Sequence, residues 1–198
     1  MKIAIITLDA FNELDSFVAM AIFGRVRLDG WTVQICCPTE TVTSMNGVKI
    51  FAQQPLSYAN DADIVLFGSG MKTAEYANNP DFLNTFSLDP SWQLIGSQCS
   101  GALILQQLDL LKSAVSTDTM TAPSLIEKGL IISEQPLHVT GNVATAGGCL
   151  ASHYLAAWAI ARKTDWQTAE DIIHYIAPVG QKDEFARRAN ATVQPHLP

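Results

Sequence analysis

The residue in this chain best suited to covalent chemistry is Cys99. It stands just past the strand predicted at Trp92–Gly96 and at the start of a strongly apolar helix predicted at Gly101–Leu111. Small residues flank it at −2 (Ser97) and +2 (Gly101). A sharp strand-to-helix turn needs such neighbours, because the backbone must pack closely behind an exposed nucleophile. At that position the sulfur lies over a helix N-terminus, whose free N–H groups favour thiolate over thiol. The amide of Ser100 faces the same space and can hold a developing oxyanion. The plainer alternative is that Cys99 is one more small buried residue ending a strand. The turn Gly68-Ser69-Gly70 follows another predicted strand, and its glycines let backbone amides approach a ligand. It is not a dinucleotide fingerprint, since the third glycine and the helix start are missing at the required offset.

Two acids, Glu13 and Asp15, follow the first strand. Their ordinary fate is to cap or solvate the first turn of a helix. A carboxylate at the end of strand one can also reach an elbow on a nearby strand, where it shares a proton with the sulfur. Cys149, after Gly147-Gly148 at a helix start, is a further pocket candidate. Cys36 and Cys37 are adjacent at a strand end, so they point to opposite faces and read as packing.

Positioning these residues requires alternating strands and helices. Apolar, β-branched runs predict strands at Lys2–Thr7, Thr32–Cys37, Asp63–Phe67 and Val143–Ala146. Helices are expected at Glu13–Leu28, around Pro80–Leu88, and at Ala122–Lys128, Gly148–Lys163 and Asp165–Ile176. Thr41–Thr43 and Val48–Phe51 read as a hairpin appended to the sheet through Asn46-Gly47, and Gly129–Ile132 with Leu137–Val139 as a weaker strand pair. This rhythm predicts an α/β layered fold with a mostly parallel sheet in a single domain over residues 1–198. In such sheets the sites form at the carboxyl ends of strands. The tail from about Val179 is polar and is expected to pack on the surface or against a partner.

Composition narrows the classes. The 198 residues are 48% apolar and 16% charged, with 12 Lys and Arg against 19 Asp and Glu, a formal charge of −7. That balance argues against nucleic acid or an anionic membrane as partner. No long apolar stretch reads as a signal peptide or membrane span, so the expected location is cytoplasmic. Four cysteines are too few for a disulfide framework, and their spacing does not match zinc pairs. No metal or cofactor is expected.

The strand KIAIIT followed by Asp15, the turn FGSG, the elbow SQCSGALIL and the segment VATAGGCLASHYLAAWAIA resemble the DJ-1/PfpI (ThiJ) family, within the class I glutamine amidotransferase-like superfamily. The likeness runs from Lys2 to about Pro178. Within that family the chain is most similar to the isocyanide-hydratase-like branch, where the acid is the Asp of a Leu-Asp pair, as in Leu14-Asp15. The resemblance implies a flavodoxin-like three-layer sandwich, usually homodimeric, with Cys99 as nucleophile and Asp15 as its acidic partner. It implies that Gly70 and Ser100 supply amides to the oxyanion. Many members carry a histidine about twenty residues after the cysteine; here that position is Thr119, beside Asp118, and the pocket wall is expected to include both. A Cys–His dyad of the protease or amidase kind is therefore disfavoured. In the later segment, Tyr154 stands where an acid is frequent.

The expected function is a cofactor-free cysteine enzyme acting on a small electrophile, such as an isonitrile or an aldehyde, through a thio-adduct. The alternative is a redox-responsive or regulatory protein that uses an oxidisable Cys99 without turnover. An amidase, protease or glyoxalase activity of the same family ranks below both.

Overall fold

Strand β1 (Lys2–Ile6) shows how the sequence builds two cores at once. Ile3 and Ile5 point to one face of the sheet and Ala4 and Ile6 to the other, and all four are fully buried. The computed structural model describes residues 1–112 and 114–198. After β1 come helix α1 (Glu13–Phe23), strand β2 (Thr32–Cys37), the short strands β3 (Thr41–Thr43), β4 (Lys49–Phe51) and β5 (Gln54–Pro55), and strand β6 (Ile64–Phe67). Helices α2 (Thr73–Ala77) and α3 (Pro80–Leu83) lead to β7 (Leu94–Gln98), α4 (Ala102–Gln107), β8 (Ala114–Val115), α5 (Ala122–Glu127) and β9 (Ile131–Ile132). The chain closes with β10 (Leu137–Thr140), β11 (Val143–Ala146), α6 (Ser152–Lys163), α7 (Trp166–Ile176) and α8 (Lys182–Val193).

The main sheet runs β10-β11-β7-β6-β1-β2-β5, parallel throughout except for the β10–β11 edge pair. Taken in chain order, its five long parallel strands lie second-first-third-fourth-fifth, the flavodoxin-like arrangement. One core lies between the sheet and α1, α6, α7 and α8, with Phe23 and Trp158 at its centre. The other lies between the sheet and α2, α3 and α4, where Phe67, Phe82 and Phe86 stack edge to face.

Several boundaries differ from those expected. Helix α1 stops at Phe23 rather than Leu28, because Gly24 ends it and Arg25 and Val26 bond three residues back, tightening the last turn. The hairpin β3–β4 forms its own two-stranded sheet instead of joining the main one; a bridge between Phe11 and Ser44 holds it beside the site. The strands at Ile131–Ile132 and Leu137–Thr140 do not pair with each other: β9 pairs with β8 and β10 with β11. The helix expected at Gly101–Leu111 is shorter, a 3-10 turn over Cys99–Gly101 followed by α4. The tail contains a helix, α8, whose apolar stripe of Ala186, Ala189 and Val193 is buried.

Candidate active site

The strand order reverses between β1 and β6, so the loops at their carboxyl ends diverge and leave a crevice, the usual ligand position in such sheets. A cleft of about 510 Å³ opens there, with Asn12, Ser69, Gly70, Cys99, Asp118 and Cys149 in its wall. Its mouth is apolar and lined by adaptable thioether side chains: Met45, Met71 and Met120 border it, and Met120 is 87% exposed.

Cys99 follows the last residue of β7 and has φ +47, an unfavourable conformation for a residue with a side chain. Strain of this kind persists only where the surroundings over-determine it. Here the Thr117 hydroxyl donates to the Cys99 carbonyl at 2.9 Å, and the close approach of β6 fixes the turn behind it. A Cβ on Gly101 would lie 2.7 Å from the Phe67 carbonyl oxygen, which is why the +2 position carries glycine. Gly70 is as closely packed, since a Cβ there would run into the Ala10 carbonyl and the Phe11 backbone. Its amide points to the Ser100 hydroxyl at 3.4 Å, a long contact that leaves the N–H available to the cleft.

Asp15 lies in the first turn of α1 and is only 3% exposed. Asn12 caps that helix by accepting from the Leu14 amide at 3.1 Å. The Ser69 hydroxyl donates to Asp15 Oδ2, while Oδ1 is buried without a partner. One carboxylate oxygen of Asp15 and the sulfurs of Cys99 and Cys149 lie within 4.8 Å of one another. Burial raises the Asp15 carboxyl above its ordinary value, opposed first by the bond from Ser69 and then by the two neighbouring thiols. Burial likewise pushes the Cys99 thiol up, and the Asp15 charge adds to this. The thiolate expected from the helix N-terminus is therefore not favoured in the resting site: the helix is short, and desolvation and the neighbouring carboxylate outweigh it. Burial thus shifts both Asp15 and Cys99 toward their protonated forms. Two thiols and a carboxylate this close also form a donor set suited to a soft metal ion.

A family model matches residues 1–161 and is described as the DJ-1/PfpI family. The chain belongs to the DJ-1/PfpI family. Among solved structures it is similar to a THiJ/PfpI family protein from Pseudomonas syringae (21% identity, TM-score 0.78, covering 97% of this chain and 90% of that one). It is also similar to an oxidised DJ-1 from Toxoplasma gondii (19% identity, TM-score 0.73, 88% and 97% covered). Drosophila melanogaster DJ-1beta gives 14% identity and a TM-score of 0.74, with 88% and 96% covered. Comparison with curated proteins gives no significant match.

Of the residues singled out from the sequence of this DJ-1/PfpI chain, the fold brings Cys99, Asp15, Gly70, Ser100, Asp118 and Cys149 to one cleft. Thr119 is exposed and does not line it, a correction to the expected pocket wall. The Asp118 carboxylate bonds the Met120 and Thr121 amides at 2.9 Å, so it shapes the rim turn. Glu13 accepts from Ser44 and Asn46 and ties the β3–β4 hairpin to α1. Cys36 and Cys37 end β2 on opposite faces, each in a different core cluster.

Three polar residues at the site were not assigned a role from the sequence. Ser69 serves Asp15, Asn12 Nδ2 donates to Cys149 Sγ at 3.1 Å, and Gln98 Nε2 lies 3.6 Å from Cys99 Sγ while donating to the Gly148 carbonyl at 2.7 Å. Asn12 carried a signal as a helix cap and Ser69 as part of a strand-end turn. A second use of either side chain depends on loops that meet only in the fold.

Proposed function

We propose that this DJ-1/PfpI protein is a cofactor-free cysteine enzyme that hydrates a small electrophile, an isonitrile or an aldehyde, with Cys99 as nucleophile and Asp15 as proton carrier. The observation that carries the reading is the buried Asp15 carboxyl, with one oxygen unpartnered, set against the Cys99 sulfur in an open cleft. With an isonitrile, the sulfur bonds to the terminal carbon as Asp15 accepts the thiol proton and returns it to that carbon. Water then adds to the thioimidate, the carbon–sulfur bond breaks, and a formamide leaves with the thiol restored. A carboxyl raised by burial is a stronger base than an ordinary one, which suits it to this transfer. No histidine is required, in keeping with Thr119. The Gly70 amide and Ser100 face the developing charge, and the methionine-lined mouth suits an apolar substituent.

The test is loss of an isonitrile or 2-oxoaldehyde in the presence of purified protein. Cys99→Ala and Asp15→Asn should each abolish it with the fold intact; full activity in both overturns the reading. A redox role is the second reading, favoured by two free thiols in one cleft and by the oxidised state of the Toxoplasma relative. The proposed setting is cytoplasmic, where all four thiols stay reduced; no helix among the described residues is long and apolar enough to cross a membrane. The proposed partner is a second copy of the chain. Exposed Leu14, Met45, Val48 and Leu150 sit on segments joined by the Glu13–Ser44 and Asn12–Cys149 bonds, an apolar patch beside the cleft.

A further inference from the structure

Cys149 has no part in the hydration scheme, yet its sulfur shares the cleft with Cys99. Both sulfurs lie within 4.8 Å of each other and of an Asp15 oxygen. Cys149 is half-buried at the first residue of a 3-10 turn, preceded by Gly148 at φ +83 and followed by Leu150, which is 71% exposed. The turn therefore sits at the surface, and Cys149 belongs to none of the core clusters that hold the other buried side chains. Asn12 holds the sulfur in the cleft by a single hydrogen bond. Cys36 and Cys37 lie in core clusters elsewhere and cannot compete for the same partner.

We propose that Cys149 is the resolving cysteine of Cys99, so that a peroxide closes an intramolecular Cys99–Cys149 disulfide across the cleft and switches the site off reversibly. The inference rests on Cys99 being the reactive centre. In the first step the Cys99 sulfur attacks one peroxide oxygen, the O–O bond breaks, and the thiol proton leaves with the departing oxygen as water or alcohol. Cys99 is then a sulfenic acid. In the second step the Cys149 sulfur attacks the Cys99 sulfur, the S–O bond breaks, and the hydroxide leaves as water. Its proton comes from the Cys149 thiol by way of Asp15, which reaches both sulfurs. Overall the two thiols lose two protons and two electrons, and the peroxide takes them up. A disulfide needs sulfurs about 2.05 Å apart, so the two side chains must swing together from their present spacing. The closed bond places both sulfurs out of reach of a substrate, and a dithiol reductant reopens it.

The experiment treats the full-length protein with hydrogen peroxide, quenches it with an alkylating agent and maps peptides without reduction. Trypsin leaves Cys99 in Thr73–Lys112 and Cys149 in Gly129–Arg162. The expected product is these two peptides joined, lighter by two hydrogens, with free thiols falling from four to two and restored by dithiothreitol. Cys149→Ser should divert the same treatment to a Cys99 sulfinic acid, heavier by two oxygens, that dithiothreitol does not reverse. Wild-type protein giving that sulfinic acid with Cys149 still free overturns the switch while leaving Cys99 as the reactive centre. Cys99 remaining a thiol, unreactive to peroxide and to the alkylating agent alike, overturns both the switch and the proposed function.

Discussion

The chain carries two pairs of cysteines at carboxyl ends of parallel strands, and only one pair is placed for chemistry. Cys36 and Cys37 end β2; burial pushes the first thiol to about 12 and the second to about 11. The Cys36 sulfur donates to the Gln34 carbonyl at 3.7 Å, and neither Cys36 nor Cys37 lines the cleft. Cys99 is as buried, at 4% exposure, and its thiol is also pushed up. What separates the pairs is their surroundings. Cys99 has a carboxyl, an amide and a second thiol around it and a cleft in front of it, because β7 runs into a helix beside the strand-order reversal. Strand β2 lies equally near the reversal on its other side, but it runs into Pro38 and the hairpin rather than into a helix, and neither of its cysteines lines the cleft. Being at a strand end is thus insufficient, and a raised thiol pKa does not by itself distinguish packing from function. Polar partners and access do.

The largest effect that separates the pairs is on turnover. Cys99→Ala should lower it by a factor on the order of 10⁴ or more, whereas Cys37→Ala should leave turnover unchanged and cost about 1 kcal/mol of stability. Steady-state assay and urea melts of the two variants check this. Asp15→Asn should cost about 10²–10⁴ in kcat, measured with the same substrates. Its effect on stability has the opposite sign. Burial raises the Asp15 carboxyl above its ordinary 3.8, so the folded state keeps a proton that the unfolded chain releases. That contribution is fully present below the ordinary value and is lost as pH rises through the folded one. The variant should therefore melt above wild type at neutral pH, with the gap closing on acidification in a series of thermal melts.

Gly101→Ala should destabilise the protein by about 1–3 kcal/mol in urea melts, because the new methyl meets the Phe67 carbonyl behind the elbow, while the backbone there, at φ −55, accepts alanine without strain. The smallest effect is expected from Ser69→Ala. The Ser69 bond lowers the Asp15 carboxyl, so its loss should raise it and move the acid limb of the pH–rate profile upward, with kcat at the optimum changed by less than about tenfold.

Much of this arrangement was legible in the residues. The elbow declared itself through Ser97, Cys99 and Gly101, because close packing tolerates only small side chains there. The parallel strands were legible because strands buried on both faces read as continuous apolar runs. Helix α8 was not, since its buried stripe is alanine, which scarcely differs in polarity from a loop until it is seen packed on α6 and α7. The early end of α1 was masked by Val26, which stays buried after the helix has ended. The thiolate expected from the helix N-terminus failed for a related reason: sequence shows the helix, but not the desolvation and the buried carboxylate set against it. The Asn12–Cys149 and Ser69–Asp15 bonds join loops far apart in the chain, so no local pattern encodes them.

Cys99 faces the cleft with polar partners, and Cys36 and Cys37 do not, a contrast that reactivity reads directly. Its most direct test is alkylation of the native protein with iodoacetamide, read cysteine by cysteine by peptide mass. Cys99 should be modified in the folded protein, faster in Asp15→Asn because the charge that raises its thiol is gone, with Cys36 and Cys37 untouched until the protein is unfolded. Modification of Cys36 or Cys37 as fast as Cys99, or a Cys99 that reacts only after unfolding, would contradict it.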